Sequence, residues 1–349
     1  MIWIRADAGK EIGTGHVMRC LSIALALQER GQEVCFVLAD DEAAGLLVAR
    51  GLAYTVLHTD YRRMEEELTI LLPMLEEKRP DLLLTDSYFV TPYYLEQVGK
   101  YTKTAYVDDT FSFPYPVDVV INYNIYGEQL PYKEKALPRN REFLLGCDYV
   151  PLREEFRDVS YSVREKAEKV LITTGGSDKY NLAGQILKYA LADVCAGKLE
   201  YHVISGAFNV NHEELQKMAD KHPNVYLYRN VGNMAELMEK CDIAVTAGGS
   251  TMYELCAVGV PVICFSFVDN QEKTVEAFRE KELVCYGGDY LKEGKQMPVR
   301  IVEAIRHLKE SCLRQMYSRR EKMLVDGAGA ERIAEKLINM SETGKSTSL

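Results

Sequence analysis

Three times in this chain a short apolar run passes through a glycine turn into a run with helical spacing. The apolar runs are 2–4, 170–173 and 243–246; the turns after them are Gly13-Thr14-Gly15-His16, Thr174-Gly175-Gly176-Ser177-Asp178 and Ala247-Gly248-Gly249-Ser250-Thr251. Further strands read at 34–38, 54–57, 82–85, 104–107, 117–121 and 143–145, then at 201–204, 225–228, 260–265 and 283–286. Helical patterns fall between them, at 17–30, 42–50, 62–78, 92–100, 182–194, 213–221, 234–240, 251–258 and 274–281. Alternation of this kind predicts α/β architecture, with parallel sheets covered by helices on both faces. In such sheets ligands lie beyond the carboxyl ends of the strands.

The alternation stalls between 151 and 168, where charges are dense and no strand reads. At 349 residues the chain is long for one core. The expected division is an N-terminal domain at 1–150, a connection at 151–168, a C-terminal domain at 169–330, and a closing helix with a polar tail at 331–349. The two domains are expected to leave a cleft between them. A formal charge of −10 argues against a nucleic-acid or anionic-membrane partner. No run reaches the roughly 18 apolar residues of a membrane span, and the start, Met1-Ile2-Trp3-Ile4-Arg5, lacks the pattern of a signal peptide. Nine scattered cysteines without a CxxC spacing give no disulfide or zinc framework, so a reducing, cytoplasmic setting is expected. No HxxxH, DxD or Cys/His cluster reads as a metal site, and no cofactor is implied.

Gly13 and Gly15 let the backbone approach a ligand closely. His16 follows them at the first turn of a helix, where the positive helix end disfavours a second positive charge; a neutral imidazole there is able to accept a proton. A capping or packing histidine is the alternative. The paired GGS turns, at Gly175, Gly176 and Ser177 and at Gly248, Gly249, Ser250 and Thr251, each offer N–H donors, a hydroxyl and a helix N-terminus to a phosphate. Glu254, one turn into the third helix, suits the two hydroxyls of a ribose, or is a helix-start carboxylate favoured by the dipole. Asn270 and Gln271 bring amides to the same edge, or are ordinary turn residues. Asp86 and Asp108 each end a strand of the first half; either could orient His16 or cap the segment that follows. Nine tyrosines lie between 88 and 132, and most are read as covering the sheet edge.

Several blocks together resemble the UDP-sugar hydrolases of the pseudaminic acid pathway and their spore-coat polysaccharide relations: IRAD and GTGHxMR within 4–19, TDSY at 85–88, VDD at 107–109, YxPLRxEF at 149–156, GGSD at 175–178 and AGGSTxYE at 247–254. The second half is more distantly similar to the N-acetylglucosaminyl transferase that completes lipid II. The resemblance implies two Rossmann-like, doubly wound parallel-sheet domains facing across a cleft, the GT-B fold. It implies metal-free hydrolysis of UDP-2,4-diacetamido-2,4,6-trideoxy-β-L-altropyranose with inversion at the anomeric carbon. His16 matches the family's base, and Tyr88 and Asn270 match positions holding the sugar or diphosphate. Glu254 matches the ribose-binding glutamate, and Ser250 and Thr251 the diphosphate contacts. Arg19 and Arg153 fall in the family blocks and are taken as substrate-side candidates, Arg153 without a specified role. The implied partner is a UDP-sugar, a monomer being favoured; a GT-B glycosyltransferase with a UDP-sugar donor is the alternative.

Overall fold

The computed structural model describes residues 1–9, 12–206 and 208–343, the side chain of Asn270 excepted. The last six positions of the expected polar tail, 344–349, lie outside the described residues. The chain divides into two compact units, Met1–Arg153 with Ala328–Leu349, and Glu154–Gly327.

The first unit holds seven parallel strands: β1 (Ile2–Ala6), β2 (Val34–Leu38), β3 (Ala53–Val56), β4 (Leu82–Asp86), β5 (Lys103–Val107), β6 (Val119–Asn122) and β7 (Glu142–Leu145). Their order is β3-β2-β1-β4-β5-β6-β7, so the direction of winding reverses between β1 and β4. Every residue of β1 and β4 is buried, as strands covered on both faces must be. One face packs Trp3, Leu83, Tyr106 and Val120 against Leu68, Leu71 and Leu75 of the helix Met64–Lys78 and against Tyr94, Leu95 and Val98. The helices Gly15–Glu29 and Gly329–Glu342 pack on each other, the first also touching β1 and β2, the second β4 and β5. The closing helix, expected as a separate element after both domains, belongs to the first unit; Ile333, Ala334 and Leu337 lie on its buried stripe.

The second unit holds β8 (Lys169–Thr173), β9 (Glu200–Ile204), β10 (Val225–Tyr228), β11 (Ile243–Ala247), β12 (Val262–Ser266) and β13 (Cys285–Asp289), in the order β10-β9-β8-β11-β12-β13. Most of the stretch read as a connection packs here: Glu155 accepts from Met234 N at 2.8 Å, and Arg164 pairs with Asp242 at 2.9 Å. Two elements differ from expectation by three residues or more at one end. The helix expected at 274–281 spans Asp269–Glu280, because Val268 is extended and Asp269 and Glu272 suit the positive end of a first turn. The strand expected at 283–286 runs Cys285–Asp289, through Gly287 and Gly288. A Cβ on Gly287 would stand 2.9 Å from Ile301 Cγ1, so glycine serves there to let a helix lie close. No described helix is long and apolar enough to cross a membrane.

Candidate functional site

In the first unit the sheet register pairs Ala6 of β1 with Asp86 of β4. Beyond Ala6 the chain turns back on itself, Gly9 and Gly13 exchanging N–H···O bonds of 3.0 and 2.7 Å. Gly13 has φ +72°, a conformation that L side chains resist. The helix then opens at Gly15, with His16 in its first turn as expected. The last residue of β4 and the first turn of this helix therefore meet at one carboxyl edge.

There, His16 Nδ1 lies 2.6 Å from Asp86 Oδ1. Burial alone would raise the Asp86 carboxyl, but Arg19 and His16 beside it hold it well below the usual carboxylate range. An ionised carboxylate only accepts, so Nδ1 turns a hydrogen toward it, and in the neutral ring the lone pair then lies on Nε2. The ring is 5% exposed. Nε2 has no hydrogen-bond partner among the described residues.

Arg19 donates from Nε to Asp86 Oδ2 at 2.5 Å and from one terminal nitrogen to Asp86 Oδ1 at 2.6 Å. The other terminal nitrogen donates to Asp109 Oδ2 at 2.8 Å and to the Tyr123 hydroxyl at 2.7 Å. Its guanidinium is thus engaged within the unit, not held out toward a ligand as the sequence reading expected. Tyr88, 53% exposed, donates its hydroxyl to Asp109 Oδ2 at 3.0 Å, and its ring meets the imidazole edge-on at 4.5 Å.

Asp108 is the expected site residue that the structure moves elsewhere. Its buried carboxylate accepts from the backbone of Thr110 and Phe111 and from the hydroxyls of Tyr115 and Tyr132, which makes it the organiser of a turn. Its neighbour Asp109, not singled out from the sequence, occupies the site instead, with Tyr123 and Asn124, whose side-chain amide reaches Asp109 at 3.1 Å. The signal was the VDD doublet itself, since adjacent residues leave a strand on opposite sides. Of the tyrosines, Tyr94, Tyr106, Tyr115 and Tyr132 are core residues, whereas Tyr88 and Tyr123 flank Arg19 and His16. Arg153, half-buried, is the last residue of the unit's first segment.

In the second unit, both GGS turns lie at carboxyl ends of adjacent strands, β8 and β11. They are not equivalent. Behind Gly175, Gly176 and Ser177, all exposed, the Asp178 carboxylate accepts from Leu182 N at 2.7 Å and Ala183 N at 2.9 Å. The helix Leu182–Ala192 is therefore capped from within, and its N-terminus is not open to a phosphate as expected. In the other turn, Gly248 N bonds to Phe265 O at 2.9 Å and Gly249 N to Ala247 O at 2.8 Å. Gly248 is required by packing: a Cβ would sit 2.3 Å from Val275 Cγ2. Ser250 occupies the N-cap position of the helix Thr251–Val258 without a capping bond from its side chain. That helix start carries its donors at Ser250 and Thr251, with half-buried Glu254 one turn on. Gln271 Oε1 accepts from Phe267 N at 3.2 Å, which ties the start of Asp269–Glu280 to the end of β12; the Asn270 side chain lies outside the described residues. Among the described residues, no group of three or more His, Cys, Asp or Glu is arranged to hold a metal ion.

Residues 170–337 match the glycosyltransferase family 28 C-terminal domain. The fold of the chain is like that of MurG from Acinetobacter baumannii, with a TM-score of 0.70 at 11% identity over 97% of this chain and 99% of that one. Two parallel-sheet domains with this likeness define the α/β GT-B fold. In sequence the chain is 26% identical to the spore coat polysaccharide biosynthesis protein SpsG of Bacillus subtilis (strain 168), over 98% of each chain. It is also 26% identical to the UDP-2,4-diacetamido-2,4,6-trideoxy-beta-L-altropyranose hydrolase of Campylobacter jejuni subsp. jejuni serotype O:2, over 80% of this chain and 96% of that one. The resemblance read from the motif blocks extends along most of the chain.

Proposed function

We propose that this enzyme hydrolyses a UDP-linked diacetamido-trideoxyhexose, releasing free sugar and UDP. The observation that carries the reading is the His16–Asp86 pair, in which Nδ1 faces the carboxylate; the reading makes Nε2 the base. In this reading Nε2 takes a proton from water as the water oxygen bonds to the anomeric carbon. The bond from that carbon to the diphosphate oxygen breaks from the opposite face, so the configuration inverts. A glycosidase needs a second carboxyl group to protonate an alcohol leaving group. A nucleoside diphosphate leaves as an anion and needs only donors that stabilise its charge. The second unit is assigned that part: Ser250 and Thr251 to the diphosphate, and Glu254 to the ribose. Tyr88, Arg153, Asn270 and Gln271 are assigned to the sugar side.

The family 28 match favours a second reading, transfer of the sugar to an acceptor hydroxyl in place of water. Incubation with a panel of UDP-diacetamido sugars, following UDP without any acceptor, separates the two. Release at a catalytic rate with inverted free sugar by NMR supports hydrolysis. Release only on addition of an acceptor supports transfer.

A further inference from the structure

Two close neighbours of His16 Nδ1 make opposite demands on it. Asp86 Oδ1, at 2.6 Å, needs a hydrogen on that nitrogen; the Arg19 guanidinium, at 3.1 Å, has only hydrogens to give. Because Asp86 is ionised, the hydrogen sits on Nδ1, and the guanidinium stands against the ring as a bare positive charge and not as a hydrogen-bond donor to it. The same guanidinium clamps both oxygens of Asp86. A buried carboxylate 2.6 Å from an imidazole, left to itself, would favour the doubly protonated ring, which has no lone pair to accept a proton.

From this geometry we infer that Arg19 is a positioning residue that keeps His16 in its neutral, Nδ1–H form by offsetting Asp86, and that Asp109 sets how strongly it does so. Asp109 holds the far side of the guanidinium at 2.8 Å and draws part of its charge away from the ring. Tyr88, its hydroxyl on the same Asp109 oxygen and its ring on the imidazole edge, ties the outer end of this chain to the solvent-facing surface. Among the described residues, the charged and titratable groups that meet the ring or its partners are Arg19 and Cys20 from its own helix, Asp86 and Tyr88 from the end of β4 and the turn after it, and Asp109 and Tyr123 from the turns after β5 and β6. Cys20, whose thiol is pushed far up by burial and then by the Asp86 charge, stays neutral and adds no charge. The sign of each substitution therefore follows from Arg19, Asp86 and Asp109.

The inference rests on reading His16 as the base, but its test needs no substrate. Histidine-labelled protein is titrated without ligand, and the ring 15N signals assigned to His16 are followed by NMR. Relative to the parent protein, Arg19→Met should move the protonation midpoint up by about 1–3 pH units, the usual size of a close-charge effect. Arg19→Lys, which keeps a charge without the planar fork, should fall between the two. Asp109→Asn, which leaves Arg19 less neutralised, should move it down. The acid limb of kcat/KM should follow in the same directions. An unmoved midpoint in Arg19→Met and Asp109→Asn, or movement with the signs reversed, overturns the inference. Should Arg19→Met fail to fold, Asp109→Asn decides alone by a downward shift or its lack. If UDP is never released from any sugar while these shifts appear, the proposed reaction fails and the role of Arg19 stands.

Discussion

The imidazole of His16 and the carboxylate of Asp86, 70 positions apart in sequence, stand 2.6 Å from each other at one carboxyl edge of the first sheet. The parallel register that sets Asp86 beside Ala6 produces the meeting. It orients a ring whose other nitrogen has no hydrogen-bond partner among the described residues. His16→Asn should therefore lower UDP release about 10²–10⁴-fold, with UDP affinity by calorimetry unchanged. Full turnover in this variant removes the ring from the reaction.

Asp86→Asn tests orientation apart from the base itself. An amide turned to Nδ1 with its N–H favours the Nε2–H tautomer and takes away the lone pair. The expected loss is again about 10²–10⁴-fold in kcat, with little change in KM. The tautomer is read directly from ring 15N shifts above the titration range. An unchanged tautomer with unchanged kcat contradicts the assignment.

Arg5 and Glu67 form a fully buried ion pair, with bonds of 2.8 and 2.7 Å, beside the strand end from which the glycine turn departs. Asp7 takes a third guanidinium nitrogen and also accepts from Ala39 N at 2.8 Å, and Tyr94 donates to Glu67 at 2.7 Å. Removing one partner leaves a charge without its match in a dry interior. Glu67→Ala should cost about 3–5 kcal/mol of stability by urea unfolding. A change under 1 kcal/mol would mean that water enters the site or that Asp7 suffices for Arg5.

The IRAD block was visible in the sequence, yet its chemistry was not, because Glu67 and Tyr94 come from helices far along the chain. The same limit explains the rest of what was and was not legible. Strand and helix alternation, and His16 in a first turn, are local facts set by periodicity and glycine placement. Which of Asp108 and Asp109 meets Arg19 depends on how β5 ends beside β6. Whether a GGS turn opens onto a free helix start depends on Asp178 in one case and on Phe265 in the other. The closing helix reads as amphipathic from its own residues, but which sheet receives its stripe is settled only by tertiary packing.

His202 supplies a pH dependence in the second unit. Its ring stacks on Tyr226 and Tyr228 and bonds the Tyr228 hydroxyl at 2.9 Å through Nδ1, while Nε2 is buried without a hydrogen bond among the described residues, Glu200 lying 3.8 Å away. Burial, with Lys169 adding to it, lowers its proton affinity below that of an ordinary histidine. In the window below about pH 6.5 the unfolded chain binds the proton more readily than the folded one, so stability falls as pH falls. Urea unfolding at pH 7.5 and pH 5 should show a larger loss for the parent than for His202→Gln. Equal losses would show that the ring is solvated in the folded state.

Glu254 decides between two readings of one carboxylate. A ribose presents two hydroxyl donors, and a carboxylate accepts from both, whereas the glutamine amide accepts with one oxygen only. Hydrogen bonds to a charged group are typically worth about 1.5–3 kcal/mol, and each 1.4 kcal/mol is tenfold in affinity. Glu254→Gln should therefore weaken UDP binding about 10- to 100-fold by calorimetry, and should act equally on UDP and on the intact UDP-sugar. At saturating substrate kcat should stay within a few fold, because the ribose is bound alike before and during the reaction. If Glu254 instead serves the helix start, the variant binds UDP as the parent does and loses only about 0.3–1 kcal/mol of stability. Affinity unchanged with stability slightly reduced would move Glu254 from the nucleotide to the helix.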